Sequence, residues 1–321
     1  MTAGAEASVI LVAPEGRIGI ARILDRLRRQ TAAARLEVVI ASPAADVAEL
    51  CLLSEPAFAD MRVVAADLST SARARAAAIV AARAPIVIFV EDHCFPVRED
   101  WAAQILLAHQ RPLVGVGPVM RNANPATATS WASLAVEYGP FLDRSAAGEV
   151  DFIPGHNSSY KREALLQYGG DLADMLEAEW VLHVDLRARG FTLWLDPSIE
   201  VEHLNYSHAG RATKLQLLSG WMFAASRSAS WPAMRRACYA AVFPVIALRR
   251  MVTVTGQMFR SPRTRPDALR SLPMVIVLLL ASGLGEGIGY AFGDCGRRNA
   301  LALMEYRRWR NLLPREVRLV R

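Results

Sequence analysis

Apolar residues in the first 120 positions come in short solid runs separated by stretches with a helical period. Residues 8–13 and 36–41 each read as a strand buried on both faces, and 62–65 as a short third. Runs of four to eight residues rich in β-branched side chains and bounded by turn residues suit that environment. Between the first two, residues 18–29 put Ile20, Ile23, Leu24 and Leu27 on one helical face. An Ala/Arg helix over 71–83 leads into a fourth buried run, Ile86 to Val90. Further strands are expected over 113–118, 191–195 and 199–201, with helices over 129–138 and 175–190. Strands alternating with helices predict an α/β fold with a mostly parallel sheet covered on both faces. From Arg211 the alternation stops and helices dominate. The chain therefore divides into an α/β domain, 1–209, and a helical C-terminal region, 210–321.

Charge sharpens that division. The 321 residues carry a net charge of +6, but residues 210–321 hold 19 basic and 5 acidic side chains, so +14 lies there and −8 in the remainder. Nearly all the basic residues are Arg, with Lys only at 161 and 214. A basic, apolar tail behind an acidic domain suits an anionic membrane surface, and no basic patch interleaved with aromatics indicates nucleic acid. Cys51, Cys94, Cys238 and Cys295 form no CxxC pair. That spacing excludes a structural zinc site or disulfide scaffold and fits a reducing compartment. The run from Val9 to Val12 is too short for a signal peptide, so the catalytic part is expected in the cytoplasm.

The chemistry concentrates after the fourth strand, where Glu91-Asp92-His93 follow Val90 directly. Side chains at the carboxyl end of a central α/β strand face the crevice where ligands bind. Carboxylate and imidazole donors there suit a divalent cation carrying phosphates; an acidic surface turn is the competing reading. Downstream, Gly155-His156-Asn157 precede the basic pair Lys161-Arg162. This is either a turn presenting N–H groups to an anionic or hydroxylated ligand, or a plain glycine turn with Ser159 capping a helix. Glu177 and Glu179 sit near the start of the 175–190 helix, where a carboxylate is also good helix electrostatics. His203 ends the last strand and in isolation reads as a satisfied buried histidine.

Taken in order, these segments over residues 8–205 resemble the inverting family 2 glycosyltransferases of the GT-A fold. In them a Rossmann-like, mostly parallel sheet carries a strand ending in an Asp-x-Asp-type motif, then a proline and an aromatic. Glu91-Asp92-His93, Pro96 and Trp101 stand there in this chain, with Glu91 and His93 replacing the outer aspartates. The resemblance implies that Asp92, helped by His93 or Glu91, holds Mg²⁺ or Mn²⁺ on the diphosphate of a nucleotide sugar. It implies that Pro14 and Glu15, after the first strand, contact the nucleotide. Ser42 stands where the family usually has an aspartate for the base or ribose, leaving Asp46 or Asp67 as substitutes. Gly155, His156, Asn157, Lys161 and Arg162 correspond to the sugar and acceptor site, with Trp180 beside it. Counting back eleven residues from Gly190 makes Glu179 the general base, with Glu177 as the alternative and Ala178 at the position of the usual second acid. A histidine at His203 approaches the metal or diphosphate in some members.

The implied activity is metal-assisted, inverting transfer of a hexosyl-type sugar to a hydroxyl acceptor on a lipid-linked or cell-envelope glycan, as in polysaccharide biosynthesis. The tail supports a peripheral position on the cytoplasmic face of the cell membrane. Its run from Leu272 to Tyr290 is interrupted by Pro273 and four glycines, which favours interfacial helices over one inserted span. Leu301, Leu303, Tyr306, Trp309 and Leu312 interleave with arginines between Arg297 and Arg321 in the same sense. Two other classes compete. One is a catalytically weak, membrane-associated scaffold, which Ser42 and the altered acidic motif would permit. The other is a dinucleotide-dependent oxidoreductase, whose GxGxxG turn the stretch from Ala13 to Gly19 does not supply.

Overall fold

The computed structural model describes residues 4–53, 55–142, 147–177, 179–262, 264–296, 298–306 and 308–317. Ala178, Arg297, Arg321 and the Trp309 side chain, which figure in the expectations above, lie outside the described residues. The chain forms two compact units. One comprises residues up to 121 and the segment down to Glu202; the other joins 122–142 to the C-terminal helices.

Among the described residues are nine strands, β1 Ala7–Val12, β2 Leu36–Ser42, β3 Asp60–Ala65, β4 Ile86–Phe89, β5 Cys94–Pro96, β6 Gly115–Asn122, β7 Gly148–Glu149, β8 Ser159–Lys161 and β9 Leu193–His203. They form one sheet in the order β3-β2-β1-β4-β8-β6-β9-β5, with β7 beside β9. β3, β2, β1 and β4 run parallel, Val9 lying between Val38 and Ile88. β8 then pairs antiparallel with β4 and with β6. The four parallel strands are those expected from the apolar runs, and their residues Val9, Leu11, Val38, Val39, Val87 and Ile88 are fully buried. The parallel arrangement follows from the helices between them, Gly16–Arg28 and Ser71–Ala81, which return the chain across the sheet.

Residues Leu172–Glu177 and Glu179–Ala188 are helical, in keeping with the helix expected over 175–190. Two local expectations are corrected. Ser159 is a buried β8 residue rather than a helix cap. The two strands expected around Asp196-Pro197 are one, β9, which Asp196 supports by accepting from Ser198 N–H and Oγ–H.

In the second unit the helix Arg265–Phe292 is continuous through Pro273 and its glycines, correcting the expected interruption. Those glycines let neighbours approach. A Cβ at Gly285 or Gly289 would strike the backbone of Leu217 or Trp221 on the helix Ala209–Arg227. One at Gly283 or Gly287 would meet Ala247 or Phe243 of the helix Phe243–Arg260. Close packing on two sides outweighs the low helix propensity of glycine, which costs about 1 kcal/mol per residue. Arg250 on that second neighbour ties it in with a 2.8 Å ion pair to the buried Glu286. Helix Ala128–Tyr138 packs against the same long helix. By length and composition Arg265–Phe292 is long and apolar enough to cross a membrane, yet 44% of its most apolar window is buried inside the protein.

Candidate functional site

The sheet delivers one acidic loop to the carboxyl ends of its parallel strands. β4 ends at Phe89, and Glu91, Asp92 and His93 occupy the turn into β5. From the neighbouring strand, Pro14 and Glu15 form the turn between β1 and the helix Gly16–Arg28, with Gly16 at φ +62°. Gly19 lies beside both: a Cβ there would be in ordinary contact, at 3.8 Å, with Asp92 Oδ2 and with Glu15. The nucleotide-side candidates Pro14, Glu15 and Asp92 are thus brought together by adjacent parallel strands. Asp46 joins them, its carboxyl 3.8 Å from where a Gly16 Cβ would be. Asp67 is exposed at a different turn, where it accepts from Ser69 and pairs with Arg73 at 2.9 Å. Those hydrogen bonds, the Ser69 backbone N–H first, hold its pKa below the usual carboxylate range. Ser42 is buried, with its Oγ 3.4 Å from Ala13 O.

Glu91 is the hub of the loop. Asn157 Nδ2 donates to Glu91 Oε2 at 2.9 Å, His156 Nδ1 lies 3.3 Å from Oε1, and an Arg75 nitrogen lies 3.7 Å from Oε1. His93 Nε2 is 3.5 Å from Oε2, while its Nδ1 meets Asp92 Oδ1 at 2.7 Å. Burial alone would push the Glu91 pKa up, but the neighbouring His93, His156 and Arg75 charges outweigh it and hold the group well below the usual range. Glu91 is therefore a carboxylate at neutral pH.

The same histidine reaches the candidate base. His156 Nε2 lies 2.7 Å from Glu179 Oε1, and Arg75 Nη1 approaches that oxygen at 4.0 Å. Gly155 makes this possible, because a Cβ on it would overlap the Glu179 carboxyl group. Gly155, His156 and Asn157 form one turn of 3₁₀ helix entered from Pro154, and Glu179 lies on the helix Glu179–Ala188. His183, one turn on, is engaged by Tyr160, whose Oη lies 2.8 Å from its Nε2. Burial lowers its pKa to about 4, so it stays neutral. Trp180 is 39% exposed.

The basic pair serves the scaffold. Lys161 Nζ donates to His109 O at 3.0 Å, and Arg162 donates to Ile79 O and Val80 O at 2.9 and 3.0 Å. His203 belongs to the second unit, fully buried, with Nδ1 2.8 Å from Asn205 Oδ1 and Arg308 Nη1 3.3 Å from Nε2. Arg75 was not among the expected site residues. The available signal was its position: it shares a helical face with Ala78 and Ile79, both buried, so a guanidinium there must find a charged partner.

Glu91, His93 and Cys94 offer donor atoms within 4.8 Å of one another. Asp92 adjoins them, its second oxygen facing the β1 turn. Carboxylate and imidazole donors of this kind fit Mg²⁺ or Mn²⁺, hard ions for which the Cys94 thiol is a poor ligand.

No protein-family model matches the chain, and no curated protein does. Many solved structures are similar to it, among them the following three, all at low identity. The mannosyltransferase PcManGT from Pyrobaculum calidifontis, in complex with GDP-Man and Mn²⁺, is 16% identical over 96% of this chain and 84% of that one, with a TM-score of 0.47. TarS 1–349 of S. aureus, in complex with UDP, is 12% identical over 86% and 90%, with a TM-score of 0.47. GalNAc-T7 with UDP, GalNAc and Mn²⁺ is 14% identical, with a TM-score of 0.47; the match covers 62% of this chain and 43% of that one.

Proposed function

We propose that this protein is a metal-assisted glycosyltransferase that moves a sugar from a nucleotide-sugar donor to a hydroxyl acceptor with inversion. The observation that carries the reading is the junction made by His156, whose two ring nitrogens face Glu91 on the acidic loop and Glu179 on a separate helix. Two carboxylates from distant segments meet at the carboxyl ends of parallel strands, where α/β sheets bind ligands. That is the arrangement the sequence resemblance to family 2 implies.

In this reading Asp92 and His93 hold Mg²⁺ or Mn²⁺. Glu91, neutralised by its own partners, shapes the loop. A bound cation there supplies compensation for the charge growing on the leaving nucleoside diphosphate. Pro14 and Glu15 flank the nucleotide. Glu179 accepts the proton of the attacking hydroxyl, and His156 and Arg75 orient its carboxylate toward the acceptor. Gly155 and Asn157 form the floor under the sugar, and Trp180 offers an exposed apolar face beside it. Lys161 and Arg162 contribute by fixing β8 rather than by touching the donor. The acceptor is lipid-linked or part of an envelope glycan, met at the cytoplasmic face of the membrane, a proposal that rests on the +14 tail.

Calorimetric titration with Mn²⁺ and nucleoside diphosphates tests the donor half. The wild-type chain should bind one of UDP or GDP in a Mn²⁺-dependent manner, and Asp92→Ala should lose the metal-dependent part of that affinity. Unchanged metal-dependent binding in a folded Asp92→Ala variant removes Asp92 from the site.

A further inference from the structure

The second unit carries an exposed surface that the proposed chemistry does not use. Helices Ala233–Ala241 and Phe243–Arg260 adjoin each other with a bend of 55°. Along them Met234, Cys238, Ala241, Val245, Leu248 and Val252 follow one another in alternating steps of four and three residues, and all are exposed. Within each helix such spacing keeps one face in line: Met234, Cys238 and Ala241 on the first, Val245, Leu248 and Val252 on the second. Exposure reaches 77% at Met234, 66% at Val245 and 69% at Val252, and no residue of the first helix is buried. Exposed apolar faces of this kind mark an interaction site.

Charge decides what it meets. Between positions 233 and 260 there are five arginines and no Asp or Glu. Two of the five turn into the unit: Arg236 donates to Tyr290 O and Ala291 O, and Arg250 to Ser282 and Glu286. The other three, Arg235, Arg249 and Arg260, are exposed and directly follow Met234, Leu248 and Phe259. One residue is a rotation of about 100° around a helix, so each arginine flanks the apolar face of its own helix. A second copy of this face would set arginine against arginine, which opposes self-association. An anionic lipid surface instead complements both halves, taking the apolar stripe below the headgroups and the guanidinium groups among the phosphates.

We propose that the bent pair Ala233–Ala241 and Phe243–Arg260 is a docking face for an anionic lipid leaflet. Met234, Val245, Leu248 and Val252 enter the headgroup–acyl boundary, and Arg235, Arg249 and Arg260 engage lipid phosphates. The proposal gives a surface and a mode to the membrane part of the functional reading and rests on that part alone. Its test uses no donor, metal or turnover, so the two stand or fall separately.

The test is flotation of the full chain with vesicles of phosphatidylcholine alone and with phosphatidylglycerol added. The wild-type protein should float with the anionic vesicles and far less with neutral ones. Each arginine at such a surface is worth about fivefold in partitioning, so Arg249→Gln with Arg260→Gln should weaken anionic binding on the order of 25-fold. Val245→Asp with Val252→Asp should abolish flotation without moving the thermal midpoint, because both sites are exposed. Equal flotation of both double variants and wild type overturns the proposal, as does absence of wild-type flotation. A dimer in sedimentation that the aspartate pair dissociates would assign the face to a second copy and overturn it equally. Should the aspartates perturb folding, the glutamine pair decides alone.

Discussion

Gly155→Ala tests the candidate base without touching it. The added methyl would overlap the Glu179 carboxyl group, whose Oε1 lies only 2.7 Å from the new Cβ position. Ordinary contact begins near 3.4 Å, and the nearer carboxyl atoms are closer still, so the carboxylate must move by about 1 Å. The Glu179 side chain is 28% exposed, so it can swing outward. The cost in stability should therefore fall near the low end for overpacking, about 1 kcal/mol. Such a swing breaks the 2.7 Å contact with His156 and removes the carboxylate from its orientation. A misplacement of about 1 Å costs on the order of 10²-fold in turnover when the displaced group does chemistry. The assay is release of nucleoside diphosphate from a panel of UDP- and GDP-sugars, with Mn²⁺-dependent nucleotide binding as the control. Binding should persist while turnover falls about 10²-fold. In the Glu179→Gln background Gly155→Ala should cost little more, because the two changes remove the same group. Wild-type turnover in a folded Gly155→Ala variant, or a full additional loss in the double variant, refutes the argument.

Three further outcomes follow from the same structure. Glu179→Gln should lower turnover about 10²-fold with donor binding intact, whereas Glu177→Gln should not; the reverse ranking would shift the base to Glu177. Gly289→Ala should lower the thermal midpoint strongly, by about 3 kcal/mol of stability or more, because the new Cβ meets the fixed Trp221 carbonyl rather than a side chain that can yield. An unchanged midpoint would show that these helices separate easily. His109 and His183 are both pushed to about 4 by burial, so each is neutral in the folded chain at neutral pH and titrates near 6.5 when unfolded. A depressed folded pKa means that stability is intact above pH 6.5 and is lost as pH falls toward 4. Imidazole NMR resonances titrating near 6.5 in the folded protein would contradict this.

The parallel half of the sheet was legible in the chain because its strands are buried on both faces, which turns them into solid runs such as Val9 to Val12. The acidic loop was equally legible, since Glu91, Asp92 and His93 follow such a run without a break. What the sequence could not reveal was which polar groups neutralise one another. Lys161 and Arg162 look like ligand residues, yet each also donates to the scaffold, to the carbonyl of residue 109 and to those of residues 79 and 80. Arg75 looks like part of an anonymous Ala/Arg helix, yet it approaches both site carboxylates. These partners are 16 to about 100 residues away, beyond the reach of any periodic pattern. The helix through Pro273 was misread for a related reason. Local propensity marks proline and glycine as breakers, whereas in this unit the glycines are where neighbouring backbones come closest.

The division of the chain into units bears on how the protein must be made. Residues 122–142 belong with helices that follow position 203, so the polypeptide enters the second unit, leaves it and returns. On the ribosome, helix Ala128–Tyr138 emerges more than a hundred residues before Arg265–Phe292, the helix it packs against. Its apolar residues Leu134, Ala135 and Val136 have to wait for that partner. A fragment ending near Arg211 would never supply it. Shortened forms of this protein should therefore associate or be degraded, and soluble expression will require either the whole chain or a cut that removes the 122–142 segment with the tail.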